Sequence, residues 1–304
     1  MKNKRPTFTH PPKMQGFSLI EFLVASALSM IVLMAVTSTY FTARNLNVTA
    51  TSRLSAQQDL RGASTLLVRD ARMAGSFGCF NMANHETNTA KEPDNSNPAF
   101  SLHSNVINGK MVPISENIVS YPDFFQVGNA LIFQYGTDAT GEEANIASSC
   151  NGIAKSSDSI TGLEAAKSAL NITDNENNGA ISTLKHVVTA YAIGSFNEQS
   201  GLYRFQLDNN DWSEPQLLIK DISSMAINYL YINDISNCEN LSSSGSQETF
   251  IRENSLRTAD SPNLTSRSGT TPALIQLQLQ VNNATAYKIE AAVRGGNVCA
   301  NQSI

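Results

Sequence analysis

The chain has 304 residues, a formal net charge of −5, 41% hydrophobic residues and four cysteines. That length accommodates a membrane helix and one globular domain of ordinary size. The acidic balance argues against direct nucleic-acid binding, which draws on basic patches. With no Gly-x-Ser-x-Gly elbow, phosphate loop or dinucleotide fingerprint, the chain reads as a non-enzyme without a cofactor.

Residues 1–16 hold Lys2, Lys4, Arg5 and Lys13 and no acid; without them the net charge would be −9. From Phe17 to Phe41, 18 of 25 residues are apolar and the one charged side chain is Glu21. About 20 such residues span a bilayer. A carboxylate there is costly unless it finds a partner, so Glu21 is a functional candidate. The basic leader predicts a cytoplasmic amino terminus with the carboxy-terminal bulk outside. A secretory signal peptide would have a shorter apolar core, about 7–15 residues, and a small-residue cut behind it. An uncleaved signal anchor is the other reading of the same run.

From Phe17 to Ala74 there is no proline and one glycine, Gly62. Leu46, Ala50 and Leu54 step by four; Leu60, Ala63, Leu67, Ala71 and Ala74 step by three or four. This predicts one continuous helix of about 87 Å, with an apolar core-facing stripe over residues 54–74. Arg44, Arg53, Arg61, Arg69 and Arg72, with Asp59 and Asp70, read as a solvated face of small energetic weight. Gly75 supplies a left-handed stop.

Residues 81–126, broken by Pro93, Pro98, Pro113 and Pro122, read as loop with at most short strands. Strands are predicted at 127–135, 187–193, 202–207, 216–219, 225–232 and 273–281, with a short helix over Gly162–Leu170 in the polar stretch 136–182. In the last strand Leu277, Leu279 and Val281 alternate with Gln276, Gln278 and Gln280, one set inward and the other outward. Residues 236–272 read as a long Ser-rich loop. The result is an α+β chain: a long helix packed on an antiparallel sheet.

Cys79, Cys150, Cys238 and Cys299 are widely spaced, which speaks against zinc. In an exported domain an even count suggests disulfides, and four cysteines allow three pairings. Cys79–Cys150 and Cys238–Cys299 are the expected pairs, because each stays within one half of the globular domain; unpaired buried thiols are the other reading. Asp174-Asn175-Glu176-Asn177-Asn178-Gly179 opens like a calcium loop, but Lys185 stands where the closing acid belongs, so an Asn-rich turn is expected. His10, His85, His103 and His186 lack metal-ligand spacing, and His186 is expected at a strand edge. Trp212 reads as a hairpin packing residue. No metal site is expected.

The basic leader, Gly16, Phe17 and an acid four residues later resemble the amino-terminal signal of type IV pilins and type II secretion pseudopilins. The resemblance implies a pilin-like fold, cleavage between Gly16 and Phe17, methylation of the Phe17 amine, and Glu21 as the fifth mature residue. It implies that Glu21 draws the amine of a neighbouring subunit and sets the axial register. An acid at this place also implies a subunit that sits beneath another, not at the extreme tip. It divides the chain into a leader (1–16), a membrane and filament-core half-helix (17–41), an amphipathic half-helix (42–75) and a periplasmic β-rich domain (76–304). Arg69-Asp70-Ala71-Arg72-Met73-Ala74-Gly75 leading to Phe77-Gly78-Cys79, and the run from Gly201 to Asn233, resemble the PilW group of minor pilins. That implies a subunit of a priming or tip complex supporting adhesion, twitching motility or DNA uptake. Its partners would be other minor pilins, the major pilin, a tip adhesin, the prepilin peptidase and the inner-membrane assembly platform. It would sit in the inner membrane before assembly and in the surface pilus afterwards. A J-type pseudopilin of type II secretion is the alternative, and a signal-anchored periplasmic protein a further one.

Overall fold

The computed structural model describes residues 16, 18–93, 98–139, 141–173, 179–208, 210–232, 250–262, 264–265, 268–281 and 286–296. The chain divides into two units, Met1–Ser55 and Ala56–Ile304. Helix α1, Leu19–Met73, runs through the boundary. It is long and apolar enough to cross a membrane.

In the first unit every described residue is exposed. Several of its hydroxyls are turned onto the helix itself. Ser26 Oγ donates to the Leu23 carbonyl, Ser29 Oγ to Ala25, Thr37 Oγ1 to Leu33 and Thr39 Oγ1 to Ala35, at 2.7–2.9 Å. These bonds satisfy the polar groups of an apolar helix without an outside partner.

In the second unit the apolar stripe of α1 is buried at Ala63, Leu67, Ala71 and Ala74 and half-buried at Leu60. It begins at Leu60, not Leu54 as the periodicity predicts: Leu54 is 57% exposed. Gly75, at φ +80°, ends the helix in the left-handed region, and its amide donates to the Gln134 carbonyl at 2.9 Å.

Short strands follow: β1 (Ser76–Phe77) with β2 (Phe80–Asn81), then β3 (Ala90–Lys91), and β4 (Val106–Ile107) with β5 (Lys110–Met111). The larger sheet contains β6 (Ile114–Asn117), β7 (Phe125–Asp138), β8 (Ile146–Ser148), β9 (Ile153–Lys155), β10 (Ser182–Phe196), β11 (Gln199–Asp208), β12 (Asp211–Trp212) and β13 (Gln216–Lys220). Helix α2, Gly162–Leu170, lies between β9 and β10. Strand β10 is central, with β7 along one side and β11 and β8 sharing the other. Every pairing in this sheet is antiparallel except β3 with β9. A second sheet holds β14 (Ile222–Ile232), β15 (Phe250–Glu253), β16 (Leu274–Val281) and β17 (Tyr287–Ala292), in the order β15-β14-β16-β17. The fold is α+β and pilin-like: a long amino-terminal apolar helix followed by predominantly antiparallel sheets.

Alternation sorts β10 into two faces. Tyr191 and Ile193 join the α1 stripe and the inner residues of both sheets, including Tyr229, Ile275 and Leu277. Val188, Ala190 and Ala192 face an aromatic cluster of Phe100, Phe124, Tyr203 and Phe205. The alanines leave room for rings: Phe124 lies 4.9 Å from Phe205 and 5.3 Å from Tyr203, edge to face. Trp212 packs its ring 4.8 Å from Phe100. As expected, Leu277 and Leu279 point inward and Gln278 and Gln280 outward.

Three strand features lie outside the sequence expectations. Strands β7 and β10 run to 14 and 15 residues, beyond their apolar centres, because hydrogen bonding to each other carries them on. Strand β15 sits inside the stretch read as loop, since its pairing with Tyr229–Ile232 supplies order that a four-residue pattern cannot signal. Strand β17 is likewise held by β16.

Candidate functional site

Ser18 precedes the first helical residue and Glu21 lies in the first turn. The Glu21 carboxylate accepts the Ser18 amide at 3.0 Å, the return half of a capping box. A negative group there also suits the positive end of the helix. Gly16 is exposed, with nothing within 4 Å of where a Cβ would stand. Phe17 lies outside the described residues. Glu21 has no ion-pair partner among the described residues, so its second oxygen is open to a cation from elsewhere.

A second cluster joins α1 to the larger sheet. Asp70, fully buried, accepts from Tyr135 Oη at 3.0 Å, Tyr191 Oη at 2.8 Å and Arg204 Nη2 at 2.9 Å. Arg69, more than half exposed, donates from the rim at 3.0 Å. Burial pushes the Asp70 carboxyl up, but the Tyr191 hydroxyl and the Arg204 guanidinium outweigh it and hold it below the carboxylate range. Burial and the Asp70 charge push Tyr135 up to about 12 and Tyr191 higher still. This corrects the sequence reading of Asp70 as part of a solvated face. A charge so enclosed is tolerated because its lone pairs are filled. The cluster orients α1 on the sheet.

His186 is a second correction. It is 2% exposed, buried within β10 and not on an open edge: it pairs with Gly136 of β7 on one side and donates its amide to Asn145 Oδ1 at 2.7 Å on the other. Its Nε2 lies 3.3 Å from Gln134 Oε1, and Gln134 Nε2 donates onward to Ser104 Oγ at 3.1 Å. Burial, then the charge of Lys155, push the imidazole down to about 3. An unfolded histidine titrates near 6.5. Between these values the unfolded chain takes up a proton that the folded chain refuses, so stability falls as pH falls. The slope is at most about 1.4 kcal/mol per pH unit. His186→Gln is expected to flatten the urea-midpoint profile between about pH 6 and pH 4; an unchanged profile would assign the slope to other groups.

Elsewhere on that side Glu92 accepts from the Ser101 hydroxyl, the Leu102 amide at 2.8 Å and His103 Nδ1 at 2.9 Å. This Ser, His and Glu meeting is no catalytic relay. The serine bonds the glutamate directly, while His103 Nε2 points at the Thr87 carbonyl, 3.2 Å away. Burial pushes Glu92 up, and the Ser101 hydroxyl and Leu102 amide bring it below its ordinary value.

Cys79 and Cys150 are joined by a disulfide, with Cα atoms 4.7 Å apart. It ties the chain just beyond α1 to the β8–β9 turn. Cys238 and Cys299 lie outside the described residues, as do 174–178 of the calcium-like stretch and His10. Among the described residues no group of three His, Cys, Asp or Glu side chains could hold a metal.

No curated protein and no solved structure matches the chain. Residues 11–37, which contain Gly16, Phe17 and Glu21, match the prokaryotic N-terminal methylation motif. The chain thus carries a type IV pilin-like amino-terminal signal, which implies processing by a prepilin peptidase and assembly with pilus or pseudopilus components.

Proposed function

We propose that this chain is a minor pilin of the PilW type, built into the priming or tip complex of a type IV pilus. The observation that carries the reading is Glu21: a carboxylate without an ion-pair partner among the described residues, in the first turn of an exposed apolar helix, inside the methylation motif. In this reading residues 1–16 are removed, 17–41 form the membrane and filament-core half, 42–75 the amphipathic half, and 76–304 the periplasmic domain. The amino terminus is cytoplasmic before assembly. Glu21 then pairs with the methylated amine of the adjoining subunit, since two opposite charges buried together cost less than either alone. Partners are other minor pilins, the major pilin, a tip adhesin and the assembly platform. Chain length and the Ser/Asn-rich insertions favour the pilus over the secretion machine.

Amino-terminal sequencing and intact mass of the protein from native membranes test the first step. The expected result is a chain that starts at N-methylphenylalanine 17. A chain that retains Met1, or one cut beyond residue 35, would overturn the reading.

A further inference from the structure

Among the described residues the outer face of α1 over residues 58–72 is exposed. Gln58, Arg61, Thr65, Arg69 and Arg72 recur at three or four residues and form an exposed stripe opposite the buried one. At 1.5 Å per residue it is about 21 Å long. Arg61 and Arg72 make no side-chain hydrogen bond or ion pair among the described residues, and Arg69 spends only part of its guanidinium on Asp70. Asp59, the exposed carboxylate of this segment, pairs with none of them among the described residues. Three guanidiniums thus stand together on a chain of net charge −5.

Gly62, beside Arg61, is an independent observation. Glycine inside a helix is destabilising relative to alanine. Here a Cβ would meet nothing within 4 Å, so no contact of the described chain requires its absence. A bare backbone beside Arg61, about one turn into the exposed stripe, suits the close approach of another helix.

We propose that this stripe is a docking surface for a helix of a neighbouring pilin-like subunit, one that presents carboxylates to Arg61, Arg69 and Arg72. Charge complementarity selects the partner, and Gly62 sets the closest approach. The stripe's length of about 21 Å and its three-and-four spacing fit a helix, and the net acidity of the chain disfavours a polyanionic strand. The inference rests on the reading of the chain as an assembling subunit.

The test places a photoreactive benzoylphenylalanine at Thr65 of the full-length chain in cells that carry the native locus. The expected result is a light-dependent adduct to a helical peptide of another methylation-motif protein, with at least two carboxylates along one face. Arg61→Glu with Arg72→Glu should lower the adduct about tenfold or more. Reversing the partner's carboxylates to arginine should restore it. Gly62→Leu should also lower it, while Gly62→Ala raises the thermal midpoint by about 2 °C, which shows that the fold itself does not need the glycine. An adduct to lipid, to nucleic acid or to a peptide without carboxylates overturns the proposal, as does a midpoint lowered by Gly62→Ala. The mass of the same protein separates the two readings. An uncut chain defeats the assembly reading, whereas a chain that starts at Phe17 and forms no adduct defeats the docking surface alone.

Discussion

Asp70→Ala is expected to destabilise the detergent-solubilised chain by about 3–5 kcal/mol, the cost of leaving the buried Arg204 guanidinium uncompensated. Tyr135 and Tyr191 would lose their acceptor in the same step, and an unmade buried hydrogen bond costs about 1–3 kcal/mol. Asp70→Asn keeps the shape and some hydrogen bonds but removes the charge, so an intermediate loss is expected. A pair of apolar replacements, Asp70→Leu with Arg204→Met, should recover much of the loss, because well-packed apolar groups often match a buried ion pair. The pH dependence follows from the depressed Asp70 pKa. The contribution is complete above the unfolded carboxyl value near 3.9 and is lost as pH falls through the lower folded value. Above about pH 4 only the His186 slope operates, so urea titrations at stepped pH separate the two groups there. An Asp70→Ala chain with an unchanged urea midpoint would show that the cluster holds nothing in place.

Glu21→Ala is expected to abolish surface filaments while the amino terminus is still cut at Phe17. Two roles for this side chain must be told apart. As a cap it accepts the Ser18 amide, a contribution of about 1 kcal/mol that a helix of 55 residues can lose without melting. As an assembly charge it pairs with a cation brought by another subunit, and removing it strands that cation in an apolar setting. Glu21→Gln discriminates, since glutamine still accepts from Ser18 but carries no charge. Filament loss in both variants supports the charge role. Normal filaments in Glu21→Gln reduce the residue to a cap, and normal filaments in both remove it from assembly altogether. Electron microscopy of the cell surface, with immunoblots for total and cleaved protein, reads these outcomes.

Much of the architecture was legible because it repeats locally. The run without proline and the three-and-four spacing of Leu60, Ala63, Leu67, Ala71 and Ala74 give α1 and its buried stripe. Gly162–Leu170 is helical over its predicted span, and the Leu/Gln alternation gives β16 and its inner face. The Asp70 cluster was not legible, because its partners stand 65, 121 and 134 residues downstream. Two hints were on the sequence. Asp70 falls three residues after Leu67 and four before Ala74, on the flank of the apolar stripe. Arg204 shares the phase of Leu202 in an apolar strand. His186 gave a similar hint, in phase with Leu184, Val188 and Ala190, all of them buried. Strands β15 and β17 gave none, because cross-strand bonding orders them more than their own composition does.

The distance between Asp70 and Arg204 also sets an order in time. The chain emerges amino terminus first, at about 5–20 residues per second. The segment around Asp70 is therefore made some 7–27 s before Arg204, 134 residues later, is available to neutralise it. Until then Leu67, Ala71 and Ala74 have no sheet to pack on, and Asp70 can be buried only at the cost of leaving its charge without Arg204. Ordering so long a loop is entropically costly until the distant strand arrives. The place of α1 on the sheet is therefore expected to be fixed only after β11 has been made, so the Asp70 cluster closes late in the folding of the second unit.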